Sequence, residues 1–226
     1  MKNISRHEHL QILVVEDSPS HIKDIKVEMN RRISQGAHLN VLYVSNLHDA
    51  LRQMNSADGI ISDVFFPLNL SGINPDANAQ SFLQRFTRDN VLPASGTYLA
   101  HIAHKNNLPI ALCTDGHHHA KNLREVYSFI QEEGIPFVPN YQSEYESVAK
   151  HKYWASAYGQ MLDLIGRKVS GFPQVFENIW SHEERYKPSR EEKEKYNCFI
   201  KQYTLPEDFN PRQSEPERIF LKDIDE

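Results

Sequence analysis

Three acidic side chains stand directly behind short apolar runs. Ile12-Leu13-Val14-Val15 ends in Glu16-Asp17, and Ile60-Ile61-Ser62 ends in Asp63. A further run, residues 109–113, ends in Thr114. Runs this short and unalternated suit strands buried on both faces. In an open parallel sheet, ligand sites form outside the carboxyl ends of the strands, where the strand order reverses. If the first and third strands are neighbours, Glu16, Asp17 and Asp63 converge on one crevice. Thr114 then offers a hydroxyl to the same place. Carboxylates so close repel one another unless a cation lies between them. Hard oxygen donors of this kind suit Mg2+, which takes one or two carboxylates, waters and a phosphate oxygen.

The elements that must position these groups follow from periodicity. Ser18-Pro19 opens a helical pattern, with Ser18 as N-cap and proline in the first turn. Ile22, Ile25, Met29 and Ile33 form its apolar stripe, and Gly36 ends it. Residues 41–44 read as a second strand, and Asn46 caps a short helix through Leu47, Ala50, Leu51 and Met54. Residues 68–76 are loop-like, a helix is expected through Phe82, Leu83 and Phe86, residues 91–95 read as a break, and residues 98–104 as a further helix. Residues 109–114 give a fourth strand. Leu123, Val126 and Ile130 mark the next helix, which Gly134 stops, and residues 135–138 give a fifth strand. A long helix follows from about Glu144, with Tyr158, Met161, Leu162 and Ile165 on one face. Alternating β and α elements predict a doubly wound, five-stranded parallel α/β sheet.

The motifs resemble the receiver domain of bacterial response regulators over roughly residues 10–165. The matching residues are ILVVEDS (12–18), with its acidic pair, and SDVFFP (62–67), where Pro67 follows Asp63 by four positions. Leu70-Ser71-Gly72 echoes the family's turn after that proline, and Thr114 stands where the family has a Ser or Thr. The resemblance implies a flavodoxin-like receiver fold. It implies that Asp63 accepts a phosphoryl group from a histidine kinase or phosphotransfer protein. Glu16 and Asp17, with Asp63, would hold Mg2+, which neutralises charge on the phosphoryl oxygens. Thr114 would bond the phosphoryl group, and Phe137 matches the aromatic that moves with it. Output would pass through contact with a protein partner. Such a module is not an enzyme in the turnover sense, beyond self-phosphorylation and dephosphorylation at Asp63.

The sequence departs from the family's pattern in three places. At the end of the fifth strand, where the family has a lysine, stand Pro139 and Asn140. Asp115 occupies a position that is usually small. The stretch from Asp63 to Thr114 exceeds by about 20 residues the ~25–30 that a loop, a helix, a second loop and a strand need. The extra length is assigned to residues 68–107. Two readings follow. Either a substitute cation (Lys105, Lys121 or protonated His117) completes a working phospho-receiver, or the chain is a pseudo-receiver that binds partners independently of phosphorylation. A metal-dependent phosphohydrolase would need an Asp-x-Asp nucleophile motif, which neither acidic run supplies.

Other signals have plainer explanations. His117-His118-His119 follows Gly116 at an expected helix start and reads as a polar stretch near the pocket, since successive residues point in different directions. Tyr141, Tyr145, Tyr153, Trp154 and Tyr158 either pack beneath the C-terminal residues or present a partner surface.

Gly166 is expected to close the regular domain, which spans residues 8–165. Residues 166–226 read as an arm with one helix, from Ser189 to about Tyr203, and no DNA-binding pattern. The run Glu191–Lys195 suits a solvated helix face.

The bulk composition bounds the function. Apolar residues make up 39% and charged residues 24% of the 226, as in globular proteins. A net charge of -5 gives no electrostatic attraction to nucleic acid or an anionic membrane. Two cysteines are too few for a disulfide framework. The polar N-terminus lacks a signal peptide's apolar core. The expectation is a reduced, cytoplasmic protein, with homodimerisation open.

Overall fold

The computed structural model describes residues 9–67, 94–117, 121–140, 154–171 and 188–204. Five parallel strands form one sheet in the order β2-β1-β3-β4-β5. They are β1 (Leu10–Val15), β2 (Leu39–Val44), β3 (Gly59–Ser62), β4 (Ile110–His117) and β5 (Phe137–Asn140). The helices are α1 (Pro19–Ser34), α2 (Leu47–Gln53), α3 (Ser95–Lys105), α4 (Lys121–Glu132), α5 (Trp154–Ser170) and α6 (Arg190–Tyr203). This is the doubly wound α/β sheet that the alternating pattern predicts, with the strand order of the flavodoxin-like and receiver folds.

Alternation along the strands sends side chains into two cores. Leu10, Ile12 and Val14 of β1 pack with Ile61, Ala111 and Cys113 against α1, α5 and α6. Leu13 and Val15 pack with Ile60, Ile110 and Leu112 against α2, α3 and α4. Both faces of the sheet are therefore covered, which is why the strands read as continuous apolar runs.

Several expectations are corrected. Ser18 sits at the N-cap of α1, but its side chain caps nothing. Its hydroxyl pairs with Ser20, and its N–H donates to Glu16. The buried stripe of α1 is Ile25, Met29 and Arg32, while Ile33 is exposed. Arg32 tolerates burial because Nε donates to Glu28 Oε1 at 2.7 Å and its guanidinium lies 4.2 Å from the Tyr158 ring centroid. β4 runs on to His117, so the histidine run begins in a strand rather than a helix. His118 and His119 lie outside the described residues.

β5 starts two residues later than the apolar pattern suggests, because Leu112 pairs with Phe137 and Cys113 with Val138. Ile135 instead closes the turn after α4, its N–H donating to Ile130 O. Pro139 fits within β5 because that strand lies at the sheet edge, where a missing N–H is tolerated. The helix expected through Phe82–Phe86, the Leu70-Ser71-Gly72 turn and residues 141–153 lie outside the described residues.

Gly166 does not end a helix. α5 continues to Ser170, and Gly171, at φ +83°, takes the left-handed turn that stops it. Gly166 is where α6 crosses: a Cβ there would stand 2.9 Å from the Tyr196 ring. Tyr196, Phe199, Ile200 and Tyr203 of α6 are buried in the same core as α5. Tyr158 Oη donates to Tyr203 O at 2.9 Å, and Tyr196 Oη donates to Asp163. Burial, then the Asp163 charge and hydrogen bond, push the Tyr196 phenol well above its usual range. Ser189 forms a reciprocal capping box with Glu192. Among the described residues, no helix is long and apolar enough to cross a membrane.

Candidate functional site

β1 and β3 are hydrogen-bonded neighbours, with Val15 opposite Ser62. Their carboxyl ends therefore deliver Glu16 and Asp63 side by side, and Asp63 N–H donates to Val15 O at 2.8 Å. Because the chain turns to β2 on one side of β1 and to β3 on the other, this is the switch point of the sheet. One carboxylate oxygen from each of Glu16, Asp17 and Asp63 lies within 4.8 Å of the other two. Glu16 and Asp63 are buried, at 1% and 7% exposure, and Asp17 is half-buried.

The two buried carboxylates, of Glu16 and Asp63, are each held by a backbone N–H that follows them in the chain. Glu16 N–H donates to Val44 O at 3.0 Å, which ties the end of β1 to the end of β2. Its Oε1 accepts Ser18 N–H at 2.9 Å, fixing the carboxylate across the turn into α1. His21 Nδ1, on the first turn of α1, lies 3.6 Å from the same oxygen. Asp63 Oδ1 accepts Val64 N–H at 2.7 Å, and Asp63 O accepts the Ser62 hydroxyl at 2.7 Å. Three hard oxygen donors at this separation, two of them excluded from water, can hold a small divalent cation.

Thr114 is buried at 1% exposure on β4, two residues beyond Leu112, which pairs with Ser62. Asp115 beside it is half-buried. Phe137 is half-buried at the start of β5, its ring centroid 5.6 Å from that of Tyr127 on α4. The backbone of Asn140 pairs with that of His117. Lys105 does not serve the pocket. It lies in the last turn of α3, whose first turn touches the Asp63 loop, and ten residues of helix span about 15 Å.

The sequence reading missed the residues that pin the Asp63 loop. Gly96 N–H donates to Val64 O at 3.0 Å, the Ser95 hydroxyl donates to Phe66 O at 2.7 Å, and Leu47 N–H donates to Pro67 O at 3.1 Å. Ser95 and Gly96 lay in or next to what read as a break. A glycine at the head of a helix-forming stretch was the available signal, since glycine there costs about 1 kcal/mol relative to alanine unless close packing requires it.

No protein-family profile matches the chain, and no curated protein matches it. Among solved structures, the non-phosphorylated receiver domain of the stress response regulator RcsB from Escherichia coli matches at 12% identity and a TM-score of 0.32. That match covers 59% of this chain and 100% of the other. So loose a superposition adds nothing to what the strand order and the switch-point carboxylates already establish.

Proposed function

We propose that the chain is a response-regulator-like signalling module in which Asp63 is the phosphoryl acceptor. The observation that carries this reading is the trio of Glu16, Asp17 and Asp63, within 4.8 Å of one another at the β1/β3 switch point. These three would hold Mg2+, and the cation would supply charge neutralisation for the phosphoryl oxygens. An Asp63 oxygen attacks the phosphorus of a phosphohistidine on a histidine kinase or phosphotransfer protein. The new O–P bond makes an acyl phosphate, and the P–N bond breaks with its electron pair going to the imidazole. The Val64 N–H, donating to Oδ1, orients the carboxylate. Buried Thr114 supplies the hydroxyl that answers the new group, and Phe137 relays its movement to the α4 and β5 surface. Output passes to a protein partner. The chain itself turns over no substrate beyond gaining and losing this phosphoryl group, and its setting is the cytoplasm.

A second reading is favoured by the end of β5, where Pro139 and Asn140 stand in place of a lysine. In it the chain is a phosphorylation-independent binding module, and the acidic trio is a metal site alone. Incubation with Mg2+ and a small acyl phosphate, followed by intact-mass measurement, separates the two. Addition of one base-labile phosphate to the wild type and none to Asp63→Asn supports the first reading. No addition to either supports the second.

A further inference from the structure

We infer that the first turn of α3, through Ser95 and Gly96, holds the phosphoacceptor loop in register, making these two positioning residues for Asp63. The inference rests on the phospho-acceptor reading above. It begins from a contact that leaves no freedom. A Cβ built on Gly96 would lie 1.8 Å from the carbonyl oxygen of Asp63 and 3.0 Å from the Cα of Val64. The first of these is far inside any permitted separation, and the atoms met are backbone, which cannot swing aside. Only glycine lets the α3 backbone approach Asp63 so closely.

The contact bears on the group that orients the carboxylate. Asp63 Oδ1 takes its direction from Val64 N–H, and the carbonyl of that same residue accepts Gly96 N–H at 3.0 Å. The two peptides that flank the Asp63–Val64 peptide are thus held, one by β1 through Asp63 N–H to Val15 O and the other by α3 through Gly96 N–H to Val64 O. Ser95 adds a second tie three residues along the loop, from its hydroxyl to Phe66 O. Ser95, Gly96 and Thr97 are all fully buried, so the turn is packed against the loop and shielded from water. A metal ligand must sit within a few tenths of an ångström of its place, since Mg2+ demands near-ideal octahedral geometry at about 2.0–2.1 Å. A shift large enough to admit a methyl group at position 96 moves Asp63 by more than that tolerance. Neither residue touches the cation or the phosphoryl group; both act through Asp63.

The test titrates Mg2+ alone, and then beryllofluoride with Mg2+, into the full chain by two-dimensional NMR, with thermal melting in parallel. The variants are Gly96→Ala, Ser95→Ala, Ser95→Thr and, as a destabilised control, Ile200→Ala on the opposite face of the sheet. The expected result is a loss of Mg2+ affinity of about tenfold or more in Gly96→Ala, in line with the cost of small misplacements. A severalfold loss is expected in Ser95→Ala, with recovery in Ser95→Thr, which keeps the hydroxyl. Ile200→Ala should melt earlier but bind Mg2+ as the wild type does. If Gly96→Ala fails to fold, the Ser95 pair decides. Wild-type affinity in every folded variant overturns the positioning role while leaving the phospho-acceptor reading intact. Affinity that falls equally in Ile200→Ala also overturns it, since the effect would then follow stability. A wild type that binds neither Mg2+ nor beryllofluoride overturns both.

Discussion

Replacing Ile200 by alanine should lower the stability of the whole chain, not merely loosen its C-terminal helix. Ile200 is 7% exposed, and its Cδ1 lies 3.2 Å from where a Cβ on Gly166 would stand. The change removes three carbons. At about 0.8 kcal/mol per buried carbon, transfer alone costs about 2.4 kcal/mol. Gly166 has no side chain to fill the space, so a cavity term raises the loss to about 3–4 kcal/mol. For a chain of this size the midpoint should fall by about 6–16 °C, at ~2–4 °C per kcal/mol. Thermal and urea unfolding followed by near-ultraviolet and far-ultraviolet circular dichroism would measure it. A single transition, displaced as a whole, is expected, because Tyr196, Phe199, Ile200 and Tyr203 share one core with β1, β3 and β4. An unchanged main transition, or a small early step followed by the wild-type midpoint, would mean that α6 is a detachable arm and would refute the reasoning.

Further outcomes follow from the same packing and charges. Gly166→Ala should destabilise by about 1–3 kcal/mol through overpacking against the Tyr196 ring, which thermal melting would register. Burial pushes the Tyr43 phenol up to about 12. The folded state therefore holds that proton more tightly than the unfolded state, whose phenol titrates near ~10. The associated stability is complete below pH ~10 and is lost as the pH rises towards about 12, so Tyr43→Phe should flatten the alkaline limb of a stability–pH curve. Mg2+ at a hundredfold excess over its dissociation constant should stabilise the wild type by about 2.7 kcal/mol, and chelation should reverse this. Asp63→Asn keeps the acceptor for Val64 N–H but removes a charged ligand, so most of that stabilisation should vanish in a melt with and without the ion.

The parts of the fold that were legible in the sequence are those set by local chemistry. Strands β1 and β3 and the first half of β4 announced themselves because burial on both faces leaves few polar positions to interrupt the run, while β2, at the sheet edge with Asn40 and Leu42 exposed, was legible from its short apolar run alone. Asn46 and Ser189 were readable caps, because a side chain that bonds a nearby backbone N–H needs no distant partner. The acidic trio could be inferred because neighbouring parallel strands bring their carboxyl ends together. What the sequence hid depends on partners far along the chain. Arg32 is buried because Tyr158 lies across its guanidinium, and Gly166 is a helix-crossing point because Tyr196 comes against it. Gly96 signalled close packing at the head of α3, but nothing local named its partner, the Asp63 loop about thirty positions earlier in the chain. The late start of β5 was set by its pairing with β4, which hydropathy does not encode.

The central claim is a phosphoryl-responsive Asp63, and beryllofluoride with Mg2+ probes it most directly. Titration against the wild type and Asp63→Asn by two-dimensional NMR should give saturable shifts at Thr114 and Phe137 in the wild type and none in the variant. Mg2+ binding without any beryllofluoride response, or no response to either, would contradict the account and mark the chain as a phosphorylation-independent module.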